Sequence, residues 1–446
     1  MVRLEHGRGY LSIKAVVQPL VLTRRSEEEA LRALRDELEA VERTYEGEVL
    51  REPLVIRGDL DARWLPDRVP RDVDLVLVLF DSGSKYLLRR LRELGLPAAL
   101  WQDRGCAHSW SWDTRGFLSR WGVEAIAPIG PEEHGRVARV ASAVRALART
   151  KALVFGRVPA PNVASEWSFE EVERRLGVEV EVVPTGDLLS RMDEVRGEDV
   201  ESVLREWEPL FENFDEKRLR DVARLYLAIK GFILERGADA VTINCLEDLM
   251  PRRFVTPCIA LARLIDEGVV AGCEADVNAL LSMLVLSYVA REPCLMGNVY
   301  FFRPWPGPGF PPVEERVEDV RRALEENVVR LTHDVVPLSM STASRWVLRD
   351  YHGTGKGATA YAPLPVGREV TLLRLSPDLR EAMAVRGRVV RVGDTVHCRL
   401  SVWIKVRDAR ALAEEAYAFH YAMAYGDLTR ELALFSRLVG IRLKVL

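Results

Sequence analysis

The stretch DLVLVLFDSGSKYLLRRL, residues 74–91, indicates the fold most clearly. Its Leu75–Phe80 segment is continuously apolar, as expected for a strand that is buried on both faces of a sheet. A polar turn follows, and Tyr86–Leu91 then carries apolar residues at helical spacing. Pro97–Trp101 predicts the next strand. Strands that alternate with helices in this way are typical of a parallel sheet.

The same alternation begins again near Lys151. Lys151–Phe155 and Val178–Val183 predict two strands, and a helix with one apolar stripe is predicted from about residue 216 to residue 237. Two more strands are predicted at Ala240–Asn244 and Val269–Cys273. The sequence therefore predicts two consecutive Rossmann-like α/β domains with parallel sheets.

The pattern changes at Arg303–Pro312, where the sequence RPWPGPGFPP is typical of a linker. After a charged helix, short β-type runs predominate up to the C-terminal helices, which indicates a smaller, mostly β, barrel-like domain. We predict an N-terminal α/β domain over 1–150, a second α/β domain over 151–310 and a β-rich domain over 311–446.

Composition excludes several classes of protein. The 446 residues have a formal net charge of -4, with 63 Lys and Arg against 67 Asp and Glu, and this balance argues against a nucleic-acid partner. No apolar run reaches the ~18 residues that span a bilayer, so we predict no membrane partner. The first nine residues lack the apolar core of a signal peptide, which predicts a cytoplasmic protein. Many charges and few glutamines fit a thermophilic source.

The cysteines and most of the histidines do not form a recognisable motif. The six cysteines are scattered without a CxxC pair, and no Cys/His spacing is typical of zinc ligands, so the sequence predicts no zinc site. Four of the seven histidines stand in contexts that suggest no function: His6, His108, His134 and His397.

The segment VVAGCEADVN, residues 269–278, is where we expect the chemistry. A buried strand ends at two carboxylates, Glu274 and Asp276, and ligands bind at this edge of open parallel sheets. Asp276 stands directly before an apolar helix, so its position predicts an N-cap. Glu274 has no such structural role, and a carboxylate beside an apolar strand needs a metal or another partner to offset its burial. A further apolar strand follows, with Asn298 at its middle.

Together with the C-terminal segment FHYAMAYGDL, residues 419–428, these motifs resemble the L-fucose isomerase family. The resemblance implies that Glu274 and Asn298 occupy catalytic positions and that Glu274, Asn298 and His420 hold a divalent metal. Mn²⁺ is the implied ion, with Mg²⁺ or Co²⁺ as alternatives. The family interconverts aldoses and ketoses through an ene-diol, which implies a pentose, a deoxyhexose or a related sugar as substrate. It also implies a homotrimer or homohexamer.

Asn298 departs from the family pattern, in which an Asp supplies the second acidic ligand. An amide oxygen can bind a metal weakly, but it cannot accept a proton at neutral pH. Asp276 and Asp334 are the candidates to replace the missing acid. The alternative is that the chain is a non-catalytic or repurposed relative that binds a sugar or a metal without isomerising it.

Four further residues are predicted to contact the sugar. His333 stands where related isomerases carry a histidine that faces the substrate, so it is either a fourth ligand or a hydroxyl binder, or else a structural residue. Asp334 follows it directly in the sequence. His352 lies in the Gly-rich segment Tyr351–Gly357, for which we predict either a loop over the pocket or a plain surface turn. Tyr425 belongs to the Tyr-Gly pair that follows His420.

Overall fold

The computed structural model describes residues 10–101, 107–158, 168–304 and 312–446. The chain forms two compact units. The N-terminal unit contains Ile13–Ala146 with Arg437–Val439, and the larger unit contains Leu147–Ser436 and Gly440–Leu446.

The N-terminal unit is an α/β layer whose strands all pair in parallel. The strands are β1 (Val16–Leu22), β2 (Val49–Leu50), β3 (Leu54–Ile56), β4 (Leu75–Phe80), β5 (Ala98–Leu100) and β6 (Ala125–Ile126). Their order is β2-β1-β4-β5-β6, with β3 also paired to β1. The helices are α1 (Glu27–Ala33), α2 (Arg35–Thr44), α3 (Asp59–Arg63), α4 (Leu65–Arg68), α5 (Ala107–Ser119) and α6 (Gly130–Leu147). Lys85–Glu93, after β4, is a 3₁₀ helix.

The larger unit begins with a second parallel sheet. Its strands are β7 (Lys151–Phe155), β8 (Glu179–Val183), β9 (Ala240–Ile243) and β10 (Val270–Ala271), in the order β10-β9-β7-β8. The helices of this part are α7 (Phe169–Leu176), α8 (Thr185–Glu194), α9 (Gly197–Trp207), α10 (Glu216–Arg236), α11 (Met250–Arg252), α12 (Cys258–Asp266) and α13 (Val277–Ala290). The two parallel sheets confirm the mixed α/β class, whereas the Rossmann-like description of both domains stays a prediction.

The rest of the larger unit is a closed antiparallel barrel. Its strands and their neighbours are β11 (Leu295–Tyr300), β12 (Val328–His333), β13 (Val347–Arg349), β14 (Thr359–Tyr361), β15 (Glu369–Leu375), β16 (Glu381–Asp394), β17 (Leu400–Val406), β18 (His420–Tyr425) and β19 (Arg442–Val445). Six of them run in the order β15-β18-β11-β12-β17-β16, and β15 pairs with β16 to close the ring. The helices here are α14 (Val313–Glu326), α15 (Ala409–Glu415) and α16 (Thr429–Val439).

The barrel includes a strand that the sequence analysis assigned to the second α/β domain. β11 pairs antiparallel with β12 on one side and β18 on the other, so Asn298 belongs to the barrel and not to a parallel sheet. That assignment was wrong because a short apolar strand gives no sign of which strands it pairs with. The domain limits at 150 and 310 otherwise stay predictions, and residues 305–311 of the proposed linker lie outside the described residues.

Helix α13 connects the two architectures of the larger unit. Apart from its last residue, every side chain of α13 is buried, and the helix packs on β9 and β10 as well as on β15 and β18. None of the helices in the described ranges has the length and apolar character needed to cross a membrane.

Gly297 allows a test of the barrel packing. A Cβ atom at this position would lie 2.9 Å from Leu331 Cγ and 3.0 Å from the Thr332 carbonyl oxygen on β12. Because a strand backbone cannot move without breaking its ladder, we expect Gly297→Ala to lower the free energy of unfolding by about 1–3 kcal/mol. Urea denaturation of both proteins measures the difference.

The matched control is Gly186→Ala in α8, where a Cβ atom would meet nothing within 4 Å. There the change should leave stability unchanged or raise it by less than about 1 kcal/mol, because Ala is the better helix former. Equal effects of the two substitutions would contradict the close approach of β11 to β12.

Candidate active site

A cavity of about 250 Å³ in the larger unit collects most of the candidate residues. It lies where the carboxyl ends of β9 and β10 meet the barrel strands β11 and β12. A π-helix, Cys245–Leu249, follows β9 at this edge, and such irregular helices are frequent at functional sites. The wall includes Cys245, Glu274, Asn298, His333, His352 and Cys398.

Glu274 reaches this cavity from a strained turn. The φ angles of Glu274 and Ala275 are 59° and 51°, a left-handed conformation that costs non-glycine residues about 1–3 kcal/mol each. The turn is held by hydrogen bonds from Gly272 N to Val241 O (2.8 Å) and from Ala275 N to Ile243 O (3.0 Å). Two backbone hydrogen bonds to β9 and its carboxyl end thus hold the turn from which Glu274 joins the cavity wall.

Asp276 caps α13 as predicted, and it also orients His420. Its Oδ1 accepts a hydrogen bond from Ala279 N at 2.9 Å, while Oδ2 lies 2.7 Å from Arg374 Nη1 and 2.9 Å from His420 Nδ1. Burial opposes ionisation, but Arg374 and His420 outweigh it and lower the pKa of Asp276 to about 2. The carboxylate is therefore an acceptor, and His420 must donate the proton on Nδ1.

This arrangement leaves His420 Nε2 facing Glu274. The ring is fully buried, and Nε2 has no hydrogen-bond partner among the described residues. It lies 3.7 Å from Glu274 Oε2, which is too long for a hydrogen bond but fits two ligands of one ion about 2.0–2.2 Å from each. Burial opposes the charged forms of both Glu274 and His420. The attraction of His420 nevertheless lowers the pKa of Glu274. Asp276 and Glu274 together raise the pKa of His420.

His333 completes a group that could hold a metal ion. One donor atom from each of Glu274, His333 and His420 lies within 4.8 Å of the others. Burial lowers the pKa of His333 to about 4, so the ring is neutral. Its Nδ1 accepts a hydrogen bond from Val335 N at 3.1 Å, which puts the ring proton on Nε2. Binding through Nε2 would move that proton to Nδ1 and cost a hydrogen bond worth about 1 kcal/mol.

Asn298 stands beside this group. It pairs directly with His420 on β18 and with Thr332 on β12, so the three side chains share one face of the sheet. Asn298 is 8% exposed, and its Oδ1 is buried without a hydrogen-bond partner in the described part of the chain. A buried, unsatisfied oxygen of this kind is rare and suits a weak ligand to the same ion.

The sequence of the middle segment matches a known family. Residues 165–291, which include Glu274 and Asp276, match the family described as L-arabinose isomerase central domain. This segment is therefore similar to the central domain of L-arabinose isomerase. The resemblance to L-fucose isomerase that the sequence suggested is thus supported at the level of related sugar isomerases, and not for that particular enzyme.

Similar proteins carry names from the same group of isomerases. The sulfoquinovose isomerase of Alkalicoccus urumqiensis is 25% identical over 70% of this chain and 68% of its own length. That of Priestia aryabhattai is 26% identical over 52% of this chain and 50% of its own length. The L-arabinose isomerase of Nocardioides sp. is 32% identical over 35% of this chain and 32% of its own length. For most of these relatives the chain therefore matches half of the length or less.

The remaining candidate residues divide between the cavity and the barrel. Asp334 and His352 line the cavity, with His352 Nε2 3.2 Å from Asp334 Oδ2. Tyr425 is not among the described residues that line it. Its hydroxyl donates to Met340 O at 2.5 Å, and Arg368 lies over its ring. The extended backbone of β18 separates Tyr425 from His420 by about 16 Å, and the contact of Tyr425 with a sugar stays a prediction.

Sequence reasoning overlooked three residues at or next to the site. His397 was assigned no function and Cys398 belonged to no recognised motif, yet both line the cavity. Arg374, the buried partner of Asp276, was not noticed, although an Arg inside the apolar run EVTLLRL of β15 is a usable signal. A charge in such a strand requires a buried partner of opposite sign.

Replacing Asp276 by Asn tests the shared carboxylate. The amide keeps an oxygen that can cap α13 but removes the charge that neutralises Arg374 and orients His420. We expect the free energy of unfolding to fall by about 3–5 kcal/mol, because a buried charge loses its partner. Mn²⁺ affinity should also fall about 10–100-fold, as for other partners of metal-binding histidines. Denaturation and calorimetric titration measure the two effects.

Asp215→Asn is the matched control. Asp215 caps α10 in the same way, by accepting a hydrogen bond from Arg218 N at 3.1 Å. Here we expect a change of stability within about 0.5 kcal/mol and unaltered Mn²⁺ affinity. A loss at Asp276 no larger than at Asp215 would show that the carboxylate serves only as a helix cap.

Proposed function

We propose that this protein is an aldose–ketose isomerase that uses one divalent cation. The proposal rests on one observation above all. His420 Nε2 has no hydrogen-bond partner in the described part of the chain, and it lies 3.7 Å from Glu274 Oε2 and close to His333. Buried imidazole nitrogens are almost always satisfied, so an unsatisfied one beside a carboxylate suits a metal ligand. The related sugar isomerases supply the reaction class.

The donor set fits the ion that the sequence suggested. Glu274, His333 and His420 offer one carboxylate and two imidazoles, and Asn298 adds an amide oxygen. Mixed oxygen and nitrogen ligation suits Mn²⁺, with Co²⁺ or Mg²⁺ as alternatives. When bound, the cation polarises the carbonyl and hydroxyl oxygens of the open-chain sugar.

In this proposal Glu274 is the group that carries the proton between C1 and C2. The lowered pKa keeps its carboxylate ionised at neutral pH, so it can act as a general base. With Oε2 turned toward His420, Oε1 remains to receive the proton from the sugar. Asp276 cannot replace the missing second acid, because its side chain is 1% exposed and engaged by Arg374 and His420.

The cavity favours an uncharged sugar such as a pentose or a deoxyhexose. Its described lining contains carboxylates and imidazoles but neither Lys nor Arg. A sulfonated sugar, which the names of two relatives suggest, would ordinarily be bound by Arg or Lys. We therefore propose that an aldose close to L-arabinose or L-fucose is preferred to sulfoquinovose. We also propose a homotrimer or homohexamer, the assembly that the resemblance to L-fucose isomerase implies.

The second candidate function is a relative that binds sugar or metal without isomerising it. The specific support is Asn298, since an amide stands where the family has an acid and cannot take up a proton. The two functions share the metal site and differ only in turnover.

Assaying ketose formation from a panel of aldoses with Mn²⁺ present distinguishes them. L-arabinose, L-fucose and sulfoquinovose should be included. We expect turnover of a neutral aldose by the natural chain, and at least a 100-fold loss in Glu274→Gln, because about 10²–10⁴-fold is the usual contribution of a general base. Asn298→Asp should change the rate less than Glu274→Gln does.

Glu318→Gln, a change to an exposed carboxylate on α14 that lies outside the described cavity lining, is the control and should retain full activity. Activity that appears only in Asn298→Asp would establish the non-catalytic alternative. Unchanged activity in Glu274→Gln would contradict the proposed role of that residue.

A further inference from the structure

A second group of side chains that could hold a metal ion lines the same cavity. His352 Nε2 is 3.8 Å from Cys398 Sγ, and His397 Nδ1 is 3.7 Å from the same sulfur. The two imidazole rings stack at a centroid distance of 4.6 Å. One donor atom from each of these three residues lies within 4.8 Å of the others.

These distances are those of ligands around one tetrahedral ion. With about 2.3 Å from zinc to sulfur and about 2.0–2.1 Å from zinc to nitrogen, two such ligands lie about 3.5 Å apart. The observed sulfur–nitrogen separations exceed this by only a few tenths of an ångström. Asp334 Oδ2, 3.2 Å from His352 Nε2, matches the roughly 3.3 Å expected between an oxygen and a nitrogen ligand.

We propose that Asp334, His352, His397 and Cys398 form a second cation site, selective for a soft divalent ion such as Zn²⁺. Thiolate, imidazole and carboxylate are all zinc ligands and the thiolate favours a soft ion, whereas the Glu274 site contains no sulfur. This proposal is independent of the isomerase reaction. It gives Asp334 and His352 a role other than the sugar binding that the sequence suggested.

Three separate segments converge to form the group. Asp334 follows β12, His352 lies in the Gly-rich loop, and His397 and Cys398 lie between β16 and β17. His352 has a φ angle of 50°, a left-handed conformation that is uncommon outside glycine. A bound ion would therefore tie the Gly-rich loop to the barrel at the mouth of the cavity.

Hydrogen bonding alone is a poor explanation for the position of Cys398 between the two imidazoles. A thiol is a weak donor and acceptor, and contacts of 3.7–3.8 Å contribute little. Burial, with nearby Asp334, raises the pKa of the Cys398 thiol well above its usual value, so the sulfur is uncharged without a cation. A coordinated ion deprotonates a thiol outright and would offset that cost. No zinc motif is visible in the sequence because the ligands come from segments up to 64 residues apart.

Co²⁺ is the direct probe, because a cobalt–thiolate bond produces a charge-transfer absorption that oxygen and nitrogen ligands do not. Full-length protein is stripped with a chelator and titrated with Co²⁺. We expect the thiolate band in the natural chain, its loss in Cys398→Ser, and its retention in Glu274→Gln. Cys294→Ser, which removes another buried thiol outside the cavity lining, is the control and should keep the band.

His397→Asn is the second variant, since His397 is only half-buried and its replacement should not prevent folding. The Co²⁺ affinity measured from the thiolate band should fall more than about 10-fold. Loss of a residue that only contacts a metal ligand already lowers affinity about 10-fold or more, and loss of a ligand should lower it further. No thiolate band in the natural chain, or an undiminished band in Cys398→Ser, would overturn the proposal. If Cys398→Ser does not fold, unchanged Co²⁺ affinity in His397→Asn would overturn it equally.

Discussion

The buried carboxylate of Asp276 is the contact on which the architecture of the site depends. It caps α13, neutralises Arg374 on β15 and fixes the ring of His420 on β18. Because neither Arg374 nor Asp276 is exposed to solvent, each needs the other to offset its desolvation. One side chain at the start of a helix thus links the parallel sheet to two strands of the barrel. The same contact determines which nitrogen of His420 faces Glu274.

The site is built where two kinds of sheet meet. In a parallel sheet, the residues that follow the strands lie together at the carboxyl edge. Cys245 follows β9 and Glu274 follows β10, and both line the cavity. The barrel delivers side chains by direct pairing, which is how Asn298 and His420 come to lie side by side. The strained turn at Glu274 joins the two, because an ordinary helical or extended backbone would direct the carboxylate elsewhere.

Strands and helix caps could be predicted from the sequence because they depend on neighbouring residues. Pairings between distant strands could not. Apolar runs predicted β4 and β5 of the first parallel sheet and all four strands of the second, and the position of Asp276 before α13 predicted its cap. Glu274 was recognised because a carboxylate beside an apolar strand is costly. By contrast, the place of β11 in the barrel depends on strands from residues 328–333 and 420–425, which periodicity cannot identify. The grouping of His352 with Cys398 likewise depends on tertiary contact alone.

Convergence of Glu274 and His420 on one cation is the central claim. Its most direct test is a crystal structure of the protein grown with Mn²⁺, with anomalous scattering used to locate the ion. The account predicts an anomalous peak about 2.0–2.2 Å from a Glu274 carboxylate oxygen and from His420 Nε2, with His333 in reach. Full Mn²⁺ loading with no peak between Glu274 and His420 would contradict it.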